Sequence, residues 1–370
     1  MVEVSVLDLP DRELSEPVFT NPSFCGHEQV VYCHDASCGL KAIIAVHSTA
    51  LGPALGGVRF RHYDSEPEAL SDVLRLAEGM TYKAALAGLR YGGGKSVIVG
   101  PPSLRSEELF RSFGRFVARL GGLYLAAEDV GTTEQDMDWI RQETVHVCGR
   151  SARQGGLGDP SPSTAFGVLR AMQAAGVRRW GTDDLAGRHV TIAGVGKVGS
   201  ALAGLLAEAG ARLTISDVDE DRAAPVAARY SAAVVDPRWA HAVECDIFAP
   251  CALGGILNRA SIPQLRSSVV AGAANNQLAD DGCARALDEA GILYVPDFVA
   301  NAGGLIHVAA ELDGTIFVDA IEKRVRNIYD TVLAVLDAAG AAGITPAAAA
   351  VELARARTAA PAAPTPAPPT

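Results

Sequence analysis

The chain has 370 residues, of which 49% are hydrophobic and 20% charged, so it is long and apolar enough for two domains with their own cores. Its 32 Lys and Arg residues face 43 Asp and Glu residues, a net charge of -11, which argues against nucleic acid or an acidic membrane as a partner. The seven cysteines form no Cys-x-x-Cys pair and the histidines show no metal-ligand spacing, so we predict reduced thiols and no bound metal.

The sequence carries no recognisable signal for export or membrane insertion. Met1 to Glu13 is acidic and lacks the basic and apolar regions of a signal peptide. No run reaches the roughly 18 apolar residues of a membrane span. We therefore expect a cytoplasmic protein.

The first half of the chain alternates between strand-like and helical segments. Runs of β-branched and apolar residues predict strands, and apolar residues recurring every three to four positions predict helices. The predicted elements are, in chain order, a hairpin at residues 29–32 and 40–46, a helix at 66–80, a strand at 96–99, a helix at 111–120 and a strand at 123–127. This alternation predicts an α/β sheet with ligand-binding groups at its strand ends, where Glu128 and Asp129 follow the last strand.

Two lysines in this half lie in small, nearly uncharged runs: Lys83 follows Gly79-Met80-Thr81-Tyr82, and Lys95 follows Gly92-Gly93-Gly94. An ammonium group among glycine and apolar residues either pairs with an anion or has a pKa well below about 10.4. The alternative is that both side chains extend their charged ends to water from buried stems. Three consecutive glycines favour a binding site, because they let the backbone approach a ligand closely.

A second pattern begins after residues 155–162, whose glycines and prolines predict a hinge between two domains. Residues 162–164 are predicted to cap a helix that runs to about Gly176. The following predicted elements are a strand at 189–193, a glycine-rich turn at 194–199, a helix at 200–209 and a strand at 212–216 that ends at Asp217.

The turn reads Gly194-Val195-Gly196-Lys197-Val198-Gly199, a Gly-x-Gly-x-x-Gly pattern between a strand and a helix. Its glycines permit a tight turn, close approach to a pyrophosphate and packing of the helix on the strand. Asp217 lies 23 positions after Gly194, where a carboxylate accepts hydrogen bonds from a ribose and repels a 2′-phosphate, so NAD is favoured over NADP. The alternative is a turn that serves packing alone.

The C-terminal part is predicted to be helical and then disordered. A helix is predicted over residues 320–338, because five apolar residues form one stripe: Ile321, Val325, Ile328, Val332 and Val335. Residues 358–370 consist of Ala, Pro and Thr, which cannot bury a core, and are predicted to be a disordered tail.

Six short motifs lie along the chain at residues 55–57, 79–83, 92–95, 128–132, 194–199 and 301–304. In composition and order they resemble the motifs of the glutamate/leucine/phenylalanine/valine dehydrogenase family, and the resemblance runs from about His27 to Arg357. The runs at 51–57 and 249–255 are most similar to the actinobacterial valine dehydrogenases. The resemblance implies an N-terminal α/β catalytic domain at residues 1–154, a Rossmann-type NAD-binding domain at 155–325, and C-terminal helices at 326–357 that return to the first domain across the active-site cleft.

The resemblance also implies roles for residues of the first domain. Lys83, with the backbone of Gly56 and Gly57, would bind the substrate α-carboxylate, because a fixed ammonium group orients a carboxylate well. Lys95 would act as general base on the water that attacks an imine. Asp129 would carry protons to and from the substrate nitrogen.

The implied reaction is reversible oxidative deamination of an L-amino acid by NAD, giving a 2-oxo acid, ammonia and NADH without a metal. Residues 194–199 and Asp217 would bind NAD, with Thr164 and Asn276 near its nicotinamide and Asn301 near the substrate. The family resemblance also implies a homo-oligomer.

Four apolar residues match the pocket for the substrate side chain: Leu55, Ala127, Leu305 and Val308. Glutamate-specific relatives place a lysine at position 55 and a serine at 308, so glutamate would bury an unpaired charge here, at a cost of roughly several kcal/mol. Leu305 is expected to crowd a phenyl ring. An aliphatic substrate is therefore expected, with valine favoured, although valine, leucine and isoleucine differ by a methylene worth only ~1–3 kcal/mol.

Two alternatives remain open at this stage. One is a phenylalanine dehydrogenase, and the other is a catalytically idle NAD-binding protein of the same family, which the presence of Lys83, Lys95 and Asp129 together disfavours. Ala310 stands where relatives usually have an aspartate, and the sequence does not say how this change affects the substrate.

Overall fold

The computed structural model describes residues 18–315 and 317–359 and arranges them around two β-sheets. The acidic segment at residues 1–13 lies outside the described residues, as do residues 360–370 of the predicted tail. Thr358 and Ala359, which were assigned to that tail, instead end the last helix.

The first sheet has five strands: β1 (Gln29–Asp35), β2 (Leu40–Ser48), β3 (Ala54–Arg61), β4 (Gly92–Val99) and β5 (Tyr124–Glu128). Their order is β1-β2-β4-β3-β5. The hairpin of β1 and β2 is confirmed, and β2 pairs antiparallel with β4. Strand β3 was not predicted, yet it lies between β4 and β5 and pairs parallel with both.

Helices cover both faces of this sheet: α1 (Glu66–Leu86), α2 (Glu107–Arg119) and α3 (Glu134–Arg141). The Ser65 side chain caps α1 by accepting a hydrogen bond from the Glu68 backbone N–H, which satisfies one of the free donors of the first turn. The apolar stripe of α1 packs with β2 and β4 on one face, and α2 and α3 enclose a second cluster on the other.

The three glycines before Lys95 are the first residues of β4, and the space beside them is filled by protein. A Cβ atom would lie 1.9 Å from the Ser48 carbonyl oxygen at Gly92, 2.1 Å from the Thr81 nitrogen at Gly93, and 2.9 Å from the Tyr124 ring at Gly94. The expectation that these glycines admit a ligand is therefore wrong. These glycines let β2, α1 and the Tyr124 ring pack directly against β4, and this packing fixes the position of Lys95.

The second sheet has six strands, all parallel, in the order β11-β10-β9-β6-β7-β8. Its strands are β6 (His189–Ala193), β7 (Arg212–Ser216), β8 (Ala233–Val234), β9 (Cys245–Pro250), β10 (Ser267–Val270) and β11 (Leu293–Tyr294). The chain leaves β6 towards β7 on one side and later returns to β9 on the other. The boundary of β6 and β9 is therefore the switch point where such sheets bind ligands.

Four helices accompany these strands: α4 (Ser161–Trp180), α5 (Lys197–Glu208), α6 (Glu220–Tyr230) and α7 (Gly282–Glu289). Helix α4 continues past the predicted end at Gly176 and ends at Gly181, which has a positive φ of 77°. The left-handed conformation that stops a helix is found there and not at Gly176.

The described residues from 297 to 359 form five helices: α8 (Asp297–Ala300), α9 (Gly303–Leu312), α10 (Val318–Arg326), α11 (Ile328–Ala342) and α12 (Pro346–Ala359). The single helix predicted over residues 320–338 is wrong, because the chain is divided at Asn327 between α10 and α11. All five residues of the predicted apolar stripe are nevertheless buried in one cluster, so the prediction of the buried face is confirmed.

Helix α12 returns to the first sheet and packs against α1, which confirms the predicted path of the C-terminus. Ala354 is fully buried in a small cluster with Tyr82 and Ala85. At its edge the Arg355 Nε donates a hydrogen bond to the Tyr82 hydroxyl at 3.1 Å.

Among the described residues no single helix is long and apolar enough to cross a membrane. Two helical segments that meet at an angle of 107°, Val318–Ala342 and Pro346–Ala359, are together long and apolar enough, by length and composition only.

The packing of α1 on β4 predicts opposite effects for two glycines. Gly93→Ala should destabilise the protein by about 3 kcal/mol, since its Cβ would meet the backbone of Thr81. Gly79→Ala, inside α1 with nothing within 4 Å of its Cβ, should stabilise it by up to about 1 kcal/mol. Urea unfolding of both variants measures the difference, and equal stability of the two would contradict this account of the glycines.

Candidate active site

Lys95, within β4, and Asp129, directly after β5, meet across β3, which lies between these two strands. The Lys95 Nζ lies 2.8 Å from Asp129 Oδ1, and their side chains are 5% and 14% exposed. The lysine side chain crosses Gly57, where a Cβ atom would lie 2.9 Å from Nζ and 2.6 Å from the Asp129 Cβ. Gly57 is thus the opening in β3 through which the pair forms. The neighbouring Gly56 allows β3 and β4 to pack closely, because a Cβ atom on it would lie 1.7 Å from the Gly94 carbonyl oxygen.

Burial and charge shift the pKa values of this pair. Burial lowers the pKa of Lys95, and the nearby Arg59 charge lowers it further, whereas Asp129 opposes both. Burial alone would raise the pKa of Asp129, but the charges of Lys95 and Arg59 outweigh it and hold that pKa below its usual value. The carboxylate therefore stays ionised, and the ammonium group loses its proton more readily than an exposed lysine.

Lys83, near the end of α1, contacts the second half of the molecule, the part that contains the second sheet. Its Nζ donates a hydrogen bond to Asn275 Oδ1 at 3.1 Å, and the same oxygen accepts one from Asn301 Nδ2 at 2.9 Å. Burial lowers the pKa of Lys83 to about 8, although the Asp297 carboxylate raises it. Lys83 and Lys95 are two of only five lysines in the chain.

A cavity of about 120 Å³ lies between the two halves, and both lysines, Asp129 and Asn275 line it. Asn276 and Asp297 line it from the second half as well. Asn276 has a positive φ of 51°, which is unusual for a residue other than glycine. Thr164 does not line this cavity; it lies on α4 against α9, where its Oγ1 is 2.6 Å from the place of a Cβ on Gly304.

The glycine-rich turn has the geometry of a phosphate-binding turn. Gly194 has a φ of 102° and its Cβ would meet Ala252 at 2.6 Å, while a Cβ on Gly199 would lie 2.0 Å from the Gly194 carbonyl oxygen. These two glycines serve the turn and the helix packing. Nothing lies within 4 Å of a Cβ on Gly196, which caps α5, so the space beside the helix N-terminus is open. An anion placed there meets free backbone N–H groups.

Asp217 lies at the end of β7 with its carboxylate fixed by backbone groups. Its Oδ2 accepts a hydrogen bond from the Val195 N–H at 2.8 Å, and its Oδ1 accepts one from the Asp219 N–H at 3.0 Å. The side chain is 6% exposed. Lys197 and Val198 start α5, and the Lys197 Nζ lies 3.8 Å from Asp159.

The four predicted side-chain pocket residues belong to one apolar cluster. Leu55, Ala127 and Leu305 are buried in it and Val308 packs against it. Leu55 and Ala127 lie on adjacent strands of the first sheet, whereas Leu305 and Val308 lie on α9. Val308 Cγ1 lies 3.5 Å from where a Cβ on Gly149 would be, so α9 reaches the first half.

The sequence analysis missed four polar residues that line this cavity: Arg59, Arg75, Asn275 and Asp297. Asn275 directly precedes a predicted site residue, so a search of its neighbours would have found it. Arg59 lies two positions after Gly57 and shares its face of β3, but that strand was not predicted and its alternation could not be used.

One cluster of potential metal ligands was also not foreseen. Cys25, His47 and Glu78 each place one ligand atom within 4.8 Å of the others. However, the two ring nitrogens of His47 already contact the Thr81 hydroxyl at 2.8 Å and the Cys25 carbonyl oxygen at 3.1 Å. Arg355 approaches Glu78 at 3.6 Å. A cation would have to displace these contacts, so we assign no metal to the cluster.

Comparison with known sequences identifies the family. Residues 27–146 match the family described as Glu/Leu/Phe/Val dehydrogenase, dimerisation domain, and residues 214–362 match Glutamate/Leucine/Phenylalanine/Valine dehydrogenase. The chain is 52% identical to leucine dehydrogenase from Geobacillus stearothermophilus over 83% of each chain. It is 52% identical to valine dehydrogenase from Streptomyces coelicolor, over 90% of this chain and 92% of that one.

Solved structures agree with this result. L-tryptophan dehydrogenase from Nostoc punctiforme is 44% identical and superposes with a TM-score of 0.79, over 90% of this chain and 96% of that chain. A hetero-hexameric glutamate dehydrogenase from Thermus thermophilus, 24% identical with a TM-score of 0.74, shares the fold over 90% of this chain and 88% of that one. The resemblance found in the sequence is therefore confirmed: the chain belongs to the glutamate/leucine/phenylalanine/valine dehydrogenase family and is an amino acid dehydrogenase.

Proposed function

We propose that the protein catalyses the reversible, NAD-dependent oxidative deamination of a branched-chain aliphatic L-amino acid, with L-valine foremost, to the 2-oxo acid, ammonia and NADH. The observation that carries this proposal is the placement of Lys83, Lys95 and Asp129 around one cavity between the two sheets. Relatives named leucine and valine dehydrogenase, each about half identical to this chain, support the substrate class.

Lys83 is the proposed partner of the substrate α-carboxylate. Its ammonium group is partly withdrawn from water and has only the neutral Asn275 amide as a hydrogen-bond partner among the described residues, so an incoming carboxylate gains a charge-assisted bond. Asn301 Oδ1 is buried and has no hydrogen-bond partner among these residues. It can accept a hydrogen from the substrate amino group, which together with Lys83 would orient Cα.

Lys95 and Asp129 are the proposed proton carriers. Bound NAD, held by residues 194–199 and Asp217, would supply the acceptor for the hydride of the substrate Cα, and loss of that hydride would leave an imine. Lys95, whose pKa burial lowers, takes a proton from water as the water oxygen attacks the imine carbon. Asp129 holds the lysine at 2.8 Å and passes protons to and from the substrate nitrogen, so that the carbon–nitrogen bond breaks with loss of ammonia.

The cofactor site fits NAD. The open side of Gly196 faces the N-terminus of α5, where a pyrophosphate would be held by residues 194–199. Asp217 presents a carboxylate at the end of the next strand, in the place suited to the ribose hydroxyls. We place Asn276, which lines the cavity, and Thr164, which packs against Gly304 of α9, near the nicotinamide.

The proposed substrate pocket is formed by four apolar residues of one hydrophobic cluster, Leu55, Ala127, Leu305 and Val308. A distal carboxylate would be buried there without a partner. One relative is an L-tryptophan dehydrogenase, so an aromatic amino acid is the second candidate substrate. The match to a dimerisation domain supports a homo-oligomer.

The two lysines should give different kinetic defects. Lys95→Ala should lower kcat by roughly 10² to 10⁴-fold because it removes the base, while NADH binding stays normal. Lys83→Ala should mainly raise KM for the amino acid. In the unmodified protein, KM for the 2-oxo acid should rise as pH passes about 8, where Lys83 loses its proton.

Steady-state rates and NADH fluorescence measure these effects, and Lys41→Ala, which changes an exposed lysine at the start of β2, is the control. Near-normal turnover of Lys95→Ala would remove this lysine from the proposed mechanism.

Asp217 should decide the choice of cofactor. NAD should be preferred to NADP by a wide margin, and Asp217→Ser should narrow that margin because the repulsion of a 2′-phosphate is lost. The matched control is Asp221→Ser, which removes an exposed acid of α6 nearby. Rates with both cofactors are the measurement; equal rates in the unmodified protein would refute the assignment of Asp217.

The pocket predicts the substrate range. L-Valine, L-leucine and L-isoleucine should exceed L-glutamate and L-phenylalanine at least tenfold in kcat/KM, which needs only ~1.4 kcal/mol. Leu305→Gly should raise phenylalanine turnover relative to valine, whereas Ile306→Ala, the adjacent buried residue, should not. NADH formation over a panel that includes L-tryptophan tests this. If an aromatic amino acid proves best, the assignment of the pocket fails while the chemistry stands.

A further inference from the structure

Arg59 is a charged group of the cleft that the proposed reaction does not use. It lies on β3 with a side chain that is only 11% exposed, and it contacts two carboxylates. Its Nε donates to Asp129 Oδ2 at 3.0 Å, and one terminal nitrogen donates to Asp72 Oδ2 at 3.0 Å. The Tyr63 hydroxyl donates to the same Asp72 oxygen at 2.8 Å, so the far end of the guanidinium is held in turn.

These contacts connect α1 with the reacting pair through an unbroken row of alternating charges: Asp72, Arg59, Asp129 and Lys95. Both carboxylate oxygens of Asp129 therefore have a charged partner: Oδ1 contacts Lys95 and Oδ2 contacts Arg59. A carboxylate with one partner can rotate about its side-chain bonds, whereas two partners on opposite oxygens leave it one orientation. The planar, permanently charged guanidinium suits this task better than an ammonium group.

We propose that Arg59 is a positioning residue for the reaction: it holds Asp129 in the orientation that meets Lys95 and the substrate nitrogen, and Asp72 and Tyr63 anchor it from α1 and the end of β3. The kinetic part of this inference rests on the proposed function, whereas its effect on Lys95 does not.

The charges around Lys95 give that effect a direction. The ammonium group faces Asp129 beyond β5, Arg59 on β3, Asp72 on α1 and Lys83 at the end of α1. Burial lowers its pKa most, Arg59 lowers it further, and the two carboxylates raise it. Removing Arg59 takes away a positive neighbour and leaves both carboxylates without their bridge, so the pKa of Lys95 should move upward, and Lys95 should stay protonated to higher pH.

The first measurement does not need turnover. Because the chain contains only five lysines, the Cε signals of ¹³C-labelled lysine can be titrated by NMR, with Lys95→Arg identifying the Lys95 signal. We expect the Lys95 midpoint at higher pH in Arg59→Ala than in the unmodified protein. Arg188→Ala, which removes a half-buried arginine paired with Asp246 at the far end of β6, should leave it unchanged.

The second measurement is kinetic. Arg59→Ala should lower kcat roughly a hundredfold with little change in KM, because a misplaced proton carrier slows the chemical step and not binding. Guanidinium added to Arg59→Ala should restore part of kcat, while the same addition should not help Arg188→Ala. Arg59→Lys keeps the positive charge but cannot bind Asp129 and Asp72 at once in the same geometry. Its kcat should therefore lie between those of Arg59→Ala and the unmodified protein.

Two results would overturn the inference. An unchanged Lys95 midpoint in folded Arg59→Ala, or in Arg59→Gln if the alanine variant does not fold, would show that Arg59 does not act on the pair. A loss of kcat without guanidinium rescue and without a shift of the midpoint would indicate a purely structural role. An unmodified protein that oxidises no amino acid would count against the proposed function instead, and the titration would still decide the role of Arg59.

Discussion

The contact between Lys95 and Asp129 is the interaction around which the first half of the molecule is arranged. Two ionised groups that are almost fully withdrawn from water are stable only when they face each other at close range. That requires a strand between them with no side chain at one position, and Gly57 of β3 supplies it. It also requires β4 to be pressed against α1, which the glycines before Lys95 allow. The unusual glycine content of these strands thus serves a pair of charges.

The second half completes the cleft through hydrogen bonds of neutral asparagine side chains and not through an ion pair. Lys83 of α1 shares Asn275 with Asn301, so the substrate-binding lysine, as we propose it, is oriented by residues more than 190 positions away in sequence. Helix α12 adds an independent tie between the same two halves through the Tyr82 cluster. Both ties end on α1. A shift of this helix would therefore move Lys83 and the anchor of Arg59 together.

Much of the fold could be predicted because local patterns were strong. The glycine-rich turn, its flanking strands and Asp217 were found where expected, since tight turns and parallel strands leave fixed signatures. Strand β3 and the break at Asn327 could not be predicted. The glycines of β3 lower its apparent strand propensity, and Asn327 interrupts an apolar stripe without disturbing its period. Arg59 was missed for the same reason as β3, because its partners come from α1 and β5 and only tertiary structure brings them together.

The pocket that we propose for the substrate side chain is divided between the two halves, and this division would affect how substrates are distinguished. Leu55 and Ala127 belong to a rigid sheet, whereas Leu305 and Val308 lie on α9, the helix that also carries Glu311. Glu311 accepts hydrogen bonds from Arg150 at 2.8 Å and from the Gly149 N–H at 3.2 Å, so α9 is tied to the segment that joins the halves. The size of the pocket is therefore set by the same contacts that set the spacing of the two halves. In the proposed site, a substrate side chain too large for this pocket would have to change the spacing of the two halves, which Lys83 and Asn275 also bridge at 3.1 Å.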